Sequence, residues 1–451
     1  MTRKDLTRRQ FIAAASAGSL AAVTSSGVPA YGNVTRKASK LAVLGGDPVR
    51  KNKSWPQWPH WDEKVIDSLM KTAKSRIWCR IQSATGTVPT FEKEYAKLMD
   101  AKFCVLTGSG TQALHTCVEA LGIGPGDEVI TSPYTDPGTT ASILSARALP
   151  VLADLDPESY QLDPDDVERR INKNTKAIMP VHMMGQPADM DRIMAIAKKH
   201  NLKVIEDACQ AHLAEHRGRK LGTIGDVGCF SFQSSKTIAC GEGGGIIGND
   251  EALMDQCYTV HNHGTSRRGH TETIGPKYRM NEFEGAVLLG QLPGVVERFK
   301  RRNENAAYLT YRLKDIPGLT PQKLYDGTDS GSFYLYAMSY HKEHFNGVDR
   351  ATFLKALSAE GVGLSPYIKQ GLHREPWIDN ILGSKVYKKM YSRKRLKEYR
   401  QQCACPNCDK VCAEMAMLWA SGPLLAGRED MVEVADAIEK VYENRDKLRE
   451  I

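Results

Sequence analysis

The stretch "LKVIEDACQAH", residues 202–212, decides how this chain folds. Its run "KVIED" is short, β-branched and bounded by polar or small residues, the pattern of a buried strand. Just before it, "MDRIMAIAKKH" (190–200) puts Ile193, Ile196 and Ala197 on one helical face. Two lysines and a histidine close that segment, where a helix dipole favours positive charge. The alternation continues outward in both directions. Candidate strands are "KFCVLTGS" (102–109), "DEVITSP" (127–133), "LPVLADLD" (149–156), "TKAIMPVH" (175–182), "DVGCFSFQ" (226–233) and "GGGIIGND" (243–250). Helical patterns separate most of them, among them "TQALHTCVEALG" (111–122), with Leu114, Cys117, Val118 and Leu121 on one face. This is the pattern of an α/β fold: a mostly parallel seven-stranded sheet with helices on both faces. In such sheets ligands bind beyond the C-terminal ends of the strands.

Glu206 and Asp207 stand at such an end. A carboxylate there alone reads equally as a helix cap or a surface acid. The stretch "SFQSSKTIACGEGGG" (231–245) changes the balance, because it offers one long amine, Lys236, after a serine-rich turn and before a glycine run. An amine and an acid in one crevice are what pyridoxal 5′-phosphate requires: the amine for a covalent link to its aldehyde, the acid to keep its ring nitrogen protonated. An ionised Asp beside a pyridinium is stable when buried, since the opposite charge offsets its desolvation. The phosphate needs a cradle. "GSGTQAL" (108–114) is a glycine-rich turn opening a helix, and the N–H groups of Gly110 and Thr111 would face a dianion there. Ser231 adds a hydroxyl. Gly241 and Gly243–Gly245 fit a chain passing close to a second backbone; a flexible loop is the alternative.

The bulk numbers agree with an enzyme of two or three parts. The chain has 451 residues, 41% hydrophobic and 25% charged, with a formal net charge of +8. No basic stripe with interleaved aromatics appears, which argues against nucleic-acid binding. "TRRQFIAAASAGSLAAV" carries Arg8 and Arg9 before a weakly apolar run, and "VPA" (28–30) follows as a small-residue cleavage site. Residues 1–30 therefore resemble a twin-arginine export signal, too short and small-residue-rich to span a bilayer, and the mature protein is expected outside the cytoplasm without a stable membrane span. Residues 31–61, rich in Trp and Pro, read as an arm lying on a surface. Residues 62–297 form the large domain and 298–451 a smaller α+β domain, in which "GSFYLYAMSY" (331–340) alternates like a half-exposed strand. Of eleven cysteines, Cys403, Cys405, Cys408 and Cys412 cluster. Their spacing is narrow for structural zinc, so no metal is expected; packing or one disulfide is the reading preferred.

From about residue 41 to 427 the chain resembles the DegT-type sugar aminotransferases, a branch of the fold-type I pyridoxal phosphate enzymes. The matching segments are "GDEVITSPYT", "PVHMMGQPADMDRIMAIAKKHNLKVIEDACQAH", "GRKLGTIGDVGCFSFQSSK", "GEGGG", "NHG" and "YRMNEFEGAVLLGQL", in that order. They are most similar to the subgroup that aminates cyclitol ketones and makes aminohydroxybenzoate. The resemblance implies that Lys236 is the cofactor-linking lysine, Asp207 the ring-nitrogen partner, and Gln210 the neighbour of the phenolic oxygen. It implies a phosphate site from Gly110, Thr111 and Ser231, completed across a homodimer by the residue before "YRM", here Lys277. His182 and His373 match histidines common near the family's site, and a structural role fits each equally well. One position departs from the pattern. The family places a ring-stacking aromatic where "YTDPGTT" (134–140) has Asp136, and an acid cannot supply an apolar face. Either Tyr134 turns in, the ring is held differently, or Asp136 has another task. The implied activity is transfer of an amino group from glutamate or glutamine to a keto-sugar or cyclitol ketone. The alternative is an exported, non-transaminating carbohydrate-binding or sensory protein on the same scaffold.

Overall fold

All seven expected strands form in the computed structural model, which describes residues 39–451. The expected export signal and the start of the arm lie outside the described residues. Strands β1 (Phe103–Thr107), β2 (Glu128–Thr131), β3 (Leu149–Leu152), β4 (Thr175–Met179) and β5 (Lys203–Asp207) follow in turn. A short hairpin, β6 (Glu215–His216) and β7 (Arg219–Lys220), precedes β8 (Val227–Ser231) and β9 (Gly244–Gly248). The sheet order is β1-β9-β8-β5-β4-β2-β3. Only β9 runs against its neighbours, β1 and β8; the other pairings are parallel. Both faces are covered, as parallel sheets require. Successive residues of β5 show it: Val204 packs into one apolar layer with Phe230 and Ile247, and Ile205 into the other with Val105 and Ile246.

The antiparallel β9 has a local cause and a functional effect. Its register pairs Gly244 with both Thr107 and Ser231, so the glycine run meets the C-terminal ends of β1 and β8. A Cβ on Gly244 would stand 2.2 Å from the carbonyl oxygen of Ser109, a distance no side chain tolerates. At Gly244 two backbones touch, while Gly243 and Gly245 leave room for the Phe232 side chain.

Leu41–Ile451 packs as one compact unit. Its second sheet is antiparallel, β10 (Leu319–Pro321), β12 (Leu335–Tyr340) and β13 (Met415–Trp419), while β11 (Thr328–Ser330) pairs with β6. Strand β12 is buried along its whole length, not half-exposed as its alternation suggests. Tyr336, Met338 and Tyr340 face a core built with the helices Val295–Leu313 and Arg428–Glu443. Leu335 and Ala337 face a second core, which holds Tyr387, Tyr391, Tyr399 and the four clustered cysteines. Those cysteines are buried in that core, with no disulfide joining them in this structure. The expected boundary at 297/298 falls inside one helix, Val295–Leu313, whose ends belong to different cores. The arm is more than a surface strap. Arg50 is buried against Asp430 and Glu433, at 2.6 and 2.8 Å, with Trp55 over its guanidinium. Among the described residues no helix is long and apolar enough to cross a membrane.

Glu206 shows what fixes the strand ends. Fully buried, it accepts hydrogen bonds from His182 Nε2 and from the N–H groups of Gly222, Ile224 and Gly225, at 2.6–2.9 Å. Burial alone would raise its pKa; the His182 and backbone contacts outweigh that and hold it below the ordinary 4.5. Its stabilising effect is therefore complete above pH ~4.5 and is lost as pH falls through the lower folded value. Glu206→Ala should cost about 3 kcal/mol or more in urea denaturation at neutral pH and flatten the acid limb of the stability profile. An unchanged limb would refute this.

Candidate active site

Strand alternation separates the two adjacent carboxylates. Glu206 enters the side held by the Gly222–Gly225 loop, and Asp207 turns to the opposite face. Asp207 is 3% exposed. Thr139 Oγ1 donates to its Oδ2 at 2.8 Å and the Cys209 N–H to its Oδ1 at 3.2 Å. Thr135 and Thr139 hydroxyls meet at 2.8 Å, so a short polar chain fixes the carboxylate from the helix Pro137–Ser145. Burial holds the neighbouring Cys209 thiol far above its ordinary range, which removes it as a competing nucleophile.

The lysine turn hangs on Gln233. Its side-chain oxygen accepts from the Ser235 N–H and hydroxyl at 2.8 and 2.7 Å, and its carbonyl accepts the Lys236 N–H at 2.8 Å. Distant segments clamp this turn: Ser421 Oγ donates to the Ser235 carbonyl at 2.7 Å and Trp58 Nε1 to the Lys236 carbonyl at 3.0 Å. The Lys236 amine lies 4.2 Å from the centroid of the Tyr334 ring, whose hydroxyl bonds Ser235 Oγ at 2.8 Å. A cation over a ring face is attracted by its quadrupole.

Gly110 opens the helix Gly110–Ala120, which Ser109 caps by accepting from the Gln112 N–H. The N–H groups of Gly110 and Thr111 have no acceptor within the helix. A Cβ on Gly110 would come 2.9 Å from Ser231 Cβ. Gln210 accepts the Met184 N–H at 2.8 Å and donates to the Tyr367 hydroxyl at 3.2 Å.

These groups converge on one cavity of about 420 Å³. Gly110, Thr111, Asp207, Gln210, Ser231 and Lys236 all line it, as do Thr139, Glu242, Tyr334, Tyr367 and Trp419, which sequence reasoning did not single out. Of the other residues the sequence singled out for the site, Asp136 alone reaches this cavity. Lys277 is exposed on the chain before the helix Glu282–Gln291 and does not line the cavity. His182 is fully buried; its Nδ1 accepts the Ala188 N–H, so its ring proton is on Nε2, toward Glu206. His373 bonds Asp409 at 3.0 Å, outside the cavity, and burial lowers its pKa. Tyr134 is buried in a core and does not turn in. Asp136 caps the helix Pro137–Ser145 through the Gly138 N–H at 2.8 Å and stands at the cavity mouth. A larger groove, about 990 Å³, between the helices Thr87–Leu98 and Glu251–His261 is lined by paired charges such as Arg80–Glu92 and gathers none of these groups.

A model of the DegT/DnrJ/EryC1/StrS aminotransferase family matches residues 61–437. The chain belongs to this family. It is 34% identical over 431 residues to an L-glutamine:2-deoxy-scyllo-inosose aminotransferase of Streptoalloteichus tenebrarius, across 91% of this chain and 99% of the relative. A Streptomyces kanamyceticus protein of the same name is 33% identical over 426 residues, covering 91% and 98%. The solved structure of 3-amino-5-hydroxybenzoic acid synthase superposes with a TM-score of 0.75 at 27% identity, covering 86% of this chain and 99% of that one.

Members of the DegT/DnrJ/EryC1/StrS family are pyridoxal 5′-phosphate-dependent aminotransferases, and so is this chain. The cavity fits that cofactor in its donor set. It offers a buried amine, a buried carboxylate held by two donors, and, at Gly110, a helix start where any side chain would collide with the wall. Gly110→Ala should lower cofactor affinity about tenfold, ~1.4 kcal/mol, in titrations of the cofactor-free protein. Wild-type affinity in that variant would show that the close approach is not needed.

Proposed function

We propose that this protein moves the α-amino group of glutamine to the ketone carbon of a cyclitol of the 2-deoxy-scyllo-inosose type. The donor leaves as a 2-oxo acid, and the acceptor becomes an amine. One observation carries the reading. Lys236 and Asp207 line the same cavity in a chain similar over nine tenths of its length to enzymes named for that reaction. When bound, the cofactor supplies an aldehyde carbon that takes the amino group and a ring that accepts the electrons of the broken C–H bond.

The chain's own residues do the rest. Lys236 Nζ holds and moves the proton at the amino-bearing carbon, and its restraint over Tyr334 keeps it within one position. Asp207 holds the proton on the ring nitrogen, and Thr139 and the Cys209 N–H keep its carboxylate aimed. The first-turn N–H groups of Gly110 and Thr111, with Ser231, bind the phosphate. Gln210, which lines the cavity, would neighbour the phenolic oxygen. Borohydride reduction of the loaded protein should label Lys236 on peptide mapping. Glutamine should bleach the visible cofactor band, and Lys236→Ala should lower kcat by about 10²–10⁴. A band that ignores glutamine and every other amine would end this reading.

The site is completed by a second copy in this reading. Trp61, Ile66, Met70, Trp78 and Ile81 are each at least two-fifths exposed within one stretch of chain, and covering such side chains would favour self-association. Lys277 of the second copy would reach the phosphate. Mixed dimers of Lys236→Ala and Lys277→Ala subunits contain one intact site each, so mixing two impaired variants should restore activity. No restoration on confirmed subunit exchange would rule out a shared site.

A further inference from the structure

A second cavity, about 560 Å³, adjoins the one that holds Lys236. The two share Thr135, Asp136 and Tyr367, so a groove runs outward from the amine past these residues. Its walls combine aromatic faces with carboxylates. Tyr334, Tyr367 and Trp419 stand edge to face in a mutual trio, with centroids 5.8–6.4 Å apart and interplanar angles of 80–86°. Trp377 lies farther out, in the second cavity. Trp419 ends a strand whose other four residues are buried, yet it is 42% exposed and lines the first cavity. Leaving so large an apolar surface in water costs free energy that a ligand face would recover. A trio of edge-to-face rings is also rigid, so its surface is set before anything binds.

The charge pattern narrows the ligand. Among the described residues Lys236 is the only lysine or arginine lining either cavity, against Asp136, Glu242 and Glu375 besides the cofactor-facing Asp207. Asp136 uses Oδ1 for the Gly138 N–H, which leaves Oδ2 for a ligand. Glu375 likewise uses Oε1, toward Gln370 Nε2 at 3.3 Å. A diphosphate placed in this groove would meet carboxylates with no cation of this chain to offset them beyond the amine needed for chemistry. Hydroxyls and ammonium groups, as donors, suit the same wall.

We infer that this groove is the acceptor subsite and selects a phosphate-free ring polyol ketone, neutral or amine-bearing. The ring's C–H face lies on Trp419 and Tyr367, and its donors point to Asp136 and Glu375. This chain's own wall disfavours nucleotide-linked sugars. The inference rests on the aminotransferase reading and adds to it the determinant of acceptor choice. It also gives Asp136 a task at the position where an aromatic was expected: it supplies a hydrogen-bond acceptor to the groove.

The test uses holoenzyme and separates the two halves of the reaction. Cofactor bleaching by glutamine reports the donor half, and recovery of the band with 2-deoxy-scyllo-inosose reports the acceptor half. Trp419→Ala should weaken the acceptor half about tenfold relative to the donor half, chiefly through KM, and Trp419→Phe should restore most of it. In parallel, calorimetry with scyllo-inositol, which has no ketone to react, should show binding to wild type that Trp419→Ala loses. Deoxythymidine diphosphate should neither bind nor compete. Equal loss in both halves, or unchanged scyllo-inositol binding in Trp419→Ala, overturns the inference while leaving the aminotransferase reading intact. Competition by deoxythymidine diphosphate overturns the selection against nucleotides. If glutamine never bleaches the wild-type band, the aminotransferase reading fails instead, and the calorimetry still decides the groove.

Discussion

Three backbones meet where side chains leave no room, and the site depends on that contact. The start of β9 lies against the turn after β1, close enough that Gly244 admits no Cβ beside Ser109. The same glycine pairs with Ser231 at the end of β8, and Ser231 in turn faces Gly110. Hard-core contact therefore sets the distance between the helix start, the serine hydroxyl and the turn that carries Lys236. Such contacts do not soften with salt or pH, unlike the charged interactions they position. A glycine run that reads as looseness in the sequence is here the reverse.

The two carboxylates at the end of β5 divide structure from chemistry. Glu206 collects four donors and ties His182 and the Gly222–Gly225 loop to the strand. Asp207 takes only two, leaving acceptor capacity for a ligand. Neighbours in sequence thus differ in role because the pleat sends them to opposite faces.

How much of this was legible in the sequence follows from range. The seven strands, the sheet class and the residues Gly110, Asp207, Gln210, Ser231 and Lys236 could be read because each lies in a local pattern: a short apolar run, a strand end, a turn before a helix. Tyr334, Tyr367, Trp419 and Trp58 could not. They come from segments far from Lys236 along the chain and meet it only through the packing of β12, β13 and the arm. The half-exposed reading of β12 failed for a related reason: alternation records two different faces, and here both are covered by apolar layers. The absence of an aromatic at Asp136 was visible in the sequence, but not that other rings stand across the cavity.

The helix Val295–Leu313 carries a mechanical consequence. Its first residue is anchored in the core beneath the seven-stranded sheet and its last turns in the core that supports β12 and β13. One uninterrupted strut thus spans the bodies that supply opposite walls of the cavity, and its middle is fastened where Arg302 donates to the Ser421 carbonyl at 3.2 Å. Bending it would break intrahelical hydrogen bonds. A continuous strut of this kind favours access for successive reactants through rearranged loops at the rim over a hinge that swings the two bodies apart.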